Sequence, residues 1–233
     1  MKQKLKLAGI IAALGILLFI VQYKIMDKDT WDSWNLPLSG KIIYIDPGHG
    51  GPDGGAGDER ALEKDIALNV SLVIRDYLQE QGALVLMTRE EDKDLAPEDM
   101  KGYSRRKVED LHKRLKLVNE SEADMFLSIH LNSIPSPKWS GAQTFYNPKY
   151  EENKALSKAI QKELTRNLEN TTREAKGLQS VYILKHAKKP GALVEIGFLS
   201  NAEERSNLLK EDYQEKVAAS IYQGVLNYLT EKE

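Results

Sequence analysis

KIIYIDPGHGG, residues 41–51, runs five β-favouring residues into an Asp–Pro step and then into a glycine-rich turn that holds a histidine. The run KIIYI lacks the alternation of a strand with one wet face, and reads as a strand buried on both sides in a parallel sheet. The same grammar recurs in MFLSIHLNS (125–133), where His130 follows the apolar run MFLSI. Ligands of open α/β sheets gather beyond the carboxyl ends of the strands, which predicts that His49 and His130 share one edge. Glycines at 48, 50 and 51 permit positive φ and close backbone approach to a bound group. Such a turn can also bind phosphate, but neither GxGxxG nor a GxxxxGKS/T pattern is present.

Working outward, short β-rich runs alternate with helical patterns. IALNVSLVIRDYL (66–78) puts Ile66, Val70, Val73, Ile74, Tyr77 and Leu78 on one helical face. Gly82 is a good helix stop, and ALVLM (83–87) follows as a strand. Ser104 is placed to cap a charged helix with Val108, Leu111, Leu115 and Val118 as its buried stripe. GAQTFY (141–146) reads as a strand, 151–169 as a helix, 180–184 and 192–196 as strands, and 211–230 as the last helix. The expected fold is α/β: a single three-layer domain over 40–233, its sheet mostly parallel and twisted, with helices on both faces.

The N-terminus reads differently. Lys2, Lys4 and Lys6 precede the apolar run Leu7–Val21, which as a helix spans about 22 Å. Snorkelling Lys6 and Lys24 can extend it towards the ~30 Å hydrocarbon core. Basic before apolar is the order of an export signal. No alanine occurs between Ala13 and Ala56 to supply a cleavage site, so an uncleaved signal anchor over 1–24 is expected, with a cleaved signal as the alternative. Residues 25–39 form a tether whose Trp31 and Trp34 suit either the membrane interface or packing on the domain. Both readings put the domain outside the cytoplasmic membrane, membrane-anchored or secreted.

The 233 residues hold 33 Lys and Arg against 35 Asp and Glu, but the first 24 residues take four of the lysines and no acid. The remainder carries 29 bases against 35 acids, which argues against nucleic acid as a partner. The absence of cysteine excludes a disulfide scaffold, a Cys-ligated zinc, a thiol nucleophile and an acylated lipoprotein N-terminus.

Four histidines bound the search for chemistry. His112, in a charged helix, reads as surface, and His186 as part of a basic loop (KHAKK). Two acids stand with His49 and His130. Glu195, inside ALVEIGF (192–198), needs a partner, a hydrogen bond or a metal to be tolerable as an ion there; a structural salt bridge would also satisfy it. Glu63 opens the 66–78 helix, where an acid also complements the helix dipole. Two His and one Glu form a catalytic zinc set with a fourth position open for water. A further Glu can take that water's proton and return it to a leaving amine. The spacings of 14, 67 and 65 residues leave other readings open.

At these residues the chain resembles the zinc-dependent N-acetylmuramoyl-L-alanine amidases of type 3. The likeness runs through IYIDPGHGGPDGGA (43–56), EKDIALN (63–69), VLMTRE (85–90), ADMFLSIHLNS (123–133), VEIGFLSN (194–201) and the final helix. It implies one Zn2+ per chain on His49, Glu63 and His130, with Glu195 as the catalytic acid/base. Arg89 stands at the family's MTR position, as structural support or as a binder of a substrate carboxylate, and Asn132 lines the site. The implied reaction is hydrolysis of the amide between N-acetylmuramic acid and L-alanine in peptidoglycan, whose glycan strands with stem peptides are the partner. With no wall-binding repeats and no helix inserted to shut the site, the chain looks most like the family's germination-specific, spore-cortex members, which prepare muramic-δ-lactam. That places it in the forespore intermembrane space, with control falling to location or an activator protein. The alternatives are a vegetative wall-remodelling amidase and a metal-dependent peptidoglycan deacetylase.

Overall fold

The computed structural model describes residues 9, 12, 14–23 and 36–231, and divides into the units Met1–Pro37 and Leu38–Glu233. In the first unit, residues 14–23 are helical and exposed. Among the described residues no helix is long and apolar enough to cross a membrane. The lysines at 2, 4, 6 and 24 and Trp31 and Trp34 of the tether lie outside the described residues.

The second unit runs β1 (Ile42–Pro47), β2 (Gly57–Asp58), β3 (Ala61–Leu62), α1 (Glu63–Glu80), β4 (Leu84–Met87), α2 (Tyr103–Glu120) and β5 (Met125–Asn132). It continues with β6 (Gln143–Tyr146), α3 (Glu151–Leu168), β7 (Lys176–Gly177), α4 (Tyr182–His186), β8 (Gly191–Phe198), α5 (Ala202–Leu208) and α6 (Glu211–Thr230). Six strands form one sheet in the order β4-β1-β5-β8-β6-β7. The four strands from β4 to β8 are mutually parallel, and β6 joins β8 antiparallel.

Both faces are covered, which is why the strands read as continuous apolar runs. One face packs Ile43, Ile45, Leu127, Ile129 and Val194 against Ile66, Val70, Ile74 and Leu78 of α1, Leu156 and Ile160 of α3, and Val217, Ile221 and Val225 of α6. The alternate residues Tyr44, Phe126 and Leu193 meet Val118 of α2 and Ile183 and Leu184 of α4 on the other face. Gly82, at φ +91°, ends α1 as its sequence predicts.

Four expectations need correction. Residues 182–186 form a short helix, not a strand: Ile183 and Leu184 both bury against the smaller core, which consecutive strand residues could not do. His186 is therefore the last residue of α4 and not part of a loop. The stripe of α2 is also different, because Val108 is exposed and the helix buries Asp110 and Arg114 beside Val118. The helix begins at Tyr103 after Gly102, with no side-chain cap from Ser104.

Candidate active site

The register of the sheet sets out the site. His130 of β5 lies beside Glu195 of β8, and Glu195 lies opposite Gln143 of β6. Residues so paired share a face, and by alternation this is the α2 face, near the carboxyl ends of β5 and β8. Glu63, the first residue of α1, is buried and receives the main-chain N–H of Ala56 (2.8 Å) and of Leu131 (2.9 Å). Its Oε1 lies 2.9 Å from His130 Nδ1 and its Oε2 3.1 Å from His49 Nε2. Ligand atoms of His49, Glu63 and His130 all fall within 4.8 Å of one another.

His49 has a φ of +59°, a strained conformation for a residue with a Cβ. What holds it there is a network beneath the turn. Arg114 donates through Nη2 to His49 O, through Nη1 to Pro47 O (2.6 Å) and Asp46 Oδ1 (2.8 Å), and through Nε to Asp110 Oδ2 (2.7 Å). Thr88 and Ser128 each donate to Asp46 at 2.8 Å. Arg89, 2% exposed, donates to the carbonyls of Pro47, Gly48, Lys64 and Glu91, tying the His49 turn to the first turn of α1. Two glycines make room for the cluster. A Cβ on Gly48 would come 2.5 Å from the His130 ring, and one on Gly55 would come 2.6 Å from Glu63 Oε2.

Asp53 orients the first histidine. Its Oδ2 lies 2.9 Å from His49 Nδ1, which directs Nε2 towards Glu63. Tyr103 and Lys107 in turn hold Asp53, at 2.9 and 3.0 Å. Burial works against a charge on His49, but hydrogen bonds and the charges of Asp53 and Glu63 raise its pKa to about 9. Burial likewise opposes ionisation of Glu63, yet hydrogen bonds with His130 and His49 hold it well below the usual carboxylate range. The proton between His49 Nε2 and Glu63 Oε2 occupies a place that a cation suits. Two imidazoles and a carboxylate, each backed by further hydrogen bonds, fit a zinc-type donor set.

Glu195 is handled in the opposite way. Its Oε2 is buried with no hydrogen-bond partner among the described residues. Burial, aided by the charge of Glu63 and opposed by His130 and His49, pushes its pKa up to about 7. Asn132 is half-exposed at the end of β5, past a register shift, and its carbonyl accepts the N–H of Leu199 (2.8 Å). His112 lies away from the cluster, its ring 5.4 Å from that of Tyr182.

Sequence reasoning missed Asp46, Asp53, Asp110 and Arg114. The i,i+4 spacings of His49–Asp53 and Asp110–Arg114 were the available signal.

A His/Glu/His cluster beside a carboxylate with one unpartnered oxygen, at the carboxyl ends of parallel strands, has the donor set of a metal-dependent hydrolase. The chain belongs to the N-acetylmuramoyl-L-alanine amidase family, whose model matches residues 43–227. It is similar over its whole length to the germination-specific N-acetylmuramoyl-L-alanine amidase of Bacillus subtilis strain 168, with 60% identity over 232 residues and 98% of that protein covered. The N-acetylmuramoyl-L-alanine amidase LytC of the same organism is 34% identical over 82% of this chain and 36% of its own length. Among solved structures, the CwlD amidase from Clostridioides difficile in complex with the GerS lipoprotein matches with a TM-score of 0.80 and 42% identity. That match covers 82% of this chain and 99% of the other.

Proposed function

We propose that this chain cleaves the amide between the lactyl group of N-acetylmuramic acid and L-alanine in peptidoglycan, with one Zn2+ held by His49, Glu63 and His130. The cation would polarise the scissile carbonyl and bring a bound water's pKa towards ~7. Glu195 takes the attacking water's proton on its unpartnered carboxylate and delivers it to the departing alanine nitrogen. Asp53 holds His49 in the tautomer that offers Nε2, and Arg89 and Arg114 fix the turn that carries it. Asn132 borders the same edge and faces substrate.

The single observation that carries this reading is the buried Glu195 Oε2 with no hydrogen-bond partner among the described residues, one strand over from His130. A structural acid would be paired; an acid kept for proton transfer has a reason to be left free.

The germination role rests on the full-length similarity to the B. subtilis enzyme, and implies stripping of stem peptides from spore cortex on the way to muramic-δ-lactam. The exposed apolar helix at 14–23, behind the lysines at 2, 4 and 6, supports an N-terminal anchor on the outer side of the membrane. An exported activator protein fits that location, as the lipoprotein complex of the C. difficile amidase suggests.

The test is zinc-loaded protein mixed with peptide-bearing peptidoglycan, with products read by mass spectrometry. Chelator-sensitive release of stem peptides with a free L-alanine amine is expected. Release of acetate with the peptides still attached would overturn the reading in favour of a deacetylase.

A further inference from the structure

We propose that Arg173 is the carboxylate-recognising residue for the stem peptide, on the leaving-group side of Glu195. This rests on the amidase reading and adds the binding group that the reading lacks. Arg89, the arginine that the family motif offers for such a role, is buried and donates to main-chain carbonyls.

Across the sheet the row runs His130, Glu195, Gln143, with all three side chains on one face. Gln143 accepts a hydrogen bond on Oε1 from Arg173 Nη1 (3.1 Å), and its own amide donates to Glu174 O (3.0 Å). Arg173 is thus the next charged group in line beyond the acid/base. Strands lie roughly 5 Å apart, so the guanidinium sits on the order of 10 Å from the scissile position. Two residues of extended peptide reach about 7 Å, the distance over which the residue after alanine can present a carboxylate.

The guanidinium is held ready. Nε donates to Ser140 O (2.9 Å), and the plane lies 5.0 Å from the Phe198 ring and 5.4 Å from that of Trp139. Nη2 has no hydrogen-bond partner among the described residues. The loop carrying Trp139 and the end of β8 are both fastened by Glu204, which accepts the N–H of Gly141 (2.7 Å) and of Phe198 (2.8 Å). Trp139 nevertheless remains 52% exposed. An immobilised guanidinium with one free edge, backed by aromatic rings, suits a planar carboxylate better than a mobile lysine would. Arg173 also borders an open cleft of about 530 Å³ with Lys158, Lys162, Arg166 and Glu174, on the α3 side of the sheet edge.

The test compares two substrates of the zinc-loaded protein, N-acetylmuramoyl-L-alanyl-D-glutamic acid γ-methylamide and its α-carboxamide, which differ only in the free α-carboxylate. The wild type should favour the carboxylate by about tenfold or more in kcat/KM, mainly through KM, as expected of a charge-assisted pair. Arg173→Gln should bring the ratio of the two substrates close to one, and Arg173→Lys should restore part of it. Equal use of both substrates by the wild type, or a proportionate loss on both in Arg173→Gln, would overturn the proposal. If neither substrate is cleaved, the amidase reading is what fails. Titrating L-alanyl-D-glutamic acid γ-methylamide and its α-carboxamide against wild type and Arg173→Gln, followed by tryptophan fluorescence, then decides the matter. Carboxylate-selective binding lost in the variant sustains the assignment, and unselective binding ends it.

Discussion

Asp46, Asp110 and Arg114 are as deeply hidden as the carboxylate oxygen of Glu195, yet the two regions treat buried charge in opposite ways. Beneath the His49 turn these three charges are matched: Arg114 meets both aspartates, and Thr88 and Ser128 complete Asp46. Burial opposes ionisation of Asp46, but Arg114 and its neighbours hold its pKa below the usual value. On β8, by contrast, Glu195 has neighbours of both signs and, among the described residues, no hydrogen-bond partner for Oε2. The first arrangement fixes geometry, because a satisfied network has one low-energy form. The second keeps a proton easily exchanged near neutral pH, because burial outweighs the nearby histidines that favour the ion.

The contrast breaks most sharply at Glu195. Glu195→Gln should lower turnover by about 10²–10⁴-fold while leaving metal content at the wild-type level. Stability should hold or rise, since an uncompensated buried acid is removed. Metal analysis, product release and thermal unfolding on one preparation check all three. Near-normal turnover would take Glu195 out of the proton-transfer role.

Arg114→Leu attacks the other side. Removing one member of a matched buried set leaves Asp46 and Asp110 uncompensated, and should cost about 3–5 kcal/mol of stability, read from urea unfolding. Activity should fall too, because Arg114 holds the carbonyl of His49, but as a consequence of the displaced turn. A loss under 1 kcal/mol would mean that water compensates the aspartates and that the network is not the fixed element described above.

These two regions were unequally legible in the sequence. His49, His130 and Glu195 could be found because each interrupts or ends an apolar strand, and Glu63 because it opens a strongly periodic helix. The network could not. Asp46 looks like an ordinary acid at a strand end, and Arg114 sits in a helix so charged that its burial contradicts the apolar stripe drawn through Val108. Periodicity detects faces buried by the hydrophobic effect, and this face is buried by ion pairing. The same blindness explains residues 180–184: a helix of five residues is too short to declare a period, and Tyr182-Ile183-Leu184 carries strand-like composition.

A smaller effect is expected at Asp53, which belongs to the matched kind of charge but touches a ligand. Asp53→Asn should weaken zinc affinity by about 10–100-fold, measured by competition with a chromophoric chelator, with the fold intact. An unchanged affinity would show that Glu63 alone orients His49.

The finest separation comes from the pH dependence of stability in metal-free protein. Glu195 has its pKa raised from 4.5 to about 7 on folding, so between those values the native state holds a proton that the unfolded chain has lost. Stability therefore falls as pH rises through that window. His49, raised from 6.5 to about 9, contributes stability that is complete below 6.5 and lost as pH climbs towards 9. Asp46, whose pKa is lowered, acts with the reverse sign and only at acidic pH, where its stabilisation is lost as pH falls. The wild type should thus lose stability continuously from pH 4.5 to 9, with each group contributing a slope of at most about 1.4 kcal/mol per pH unit. Glu195→Gln should flatten the part below pH 6.5, lessen the slope from there to about 7, and leave the part above it. Parallel curves for the two proteins would mean that Glu195 ionises freely in the folded state, and the distinction between its region and that of Arg114 would disappear.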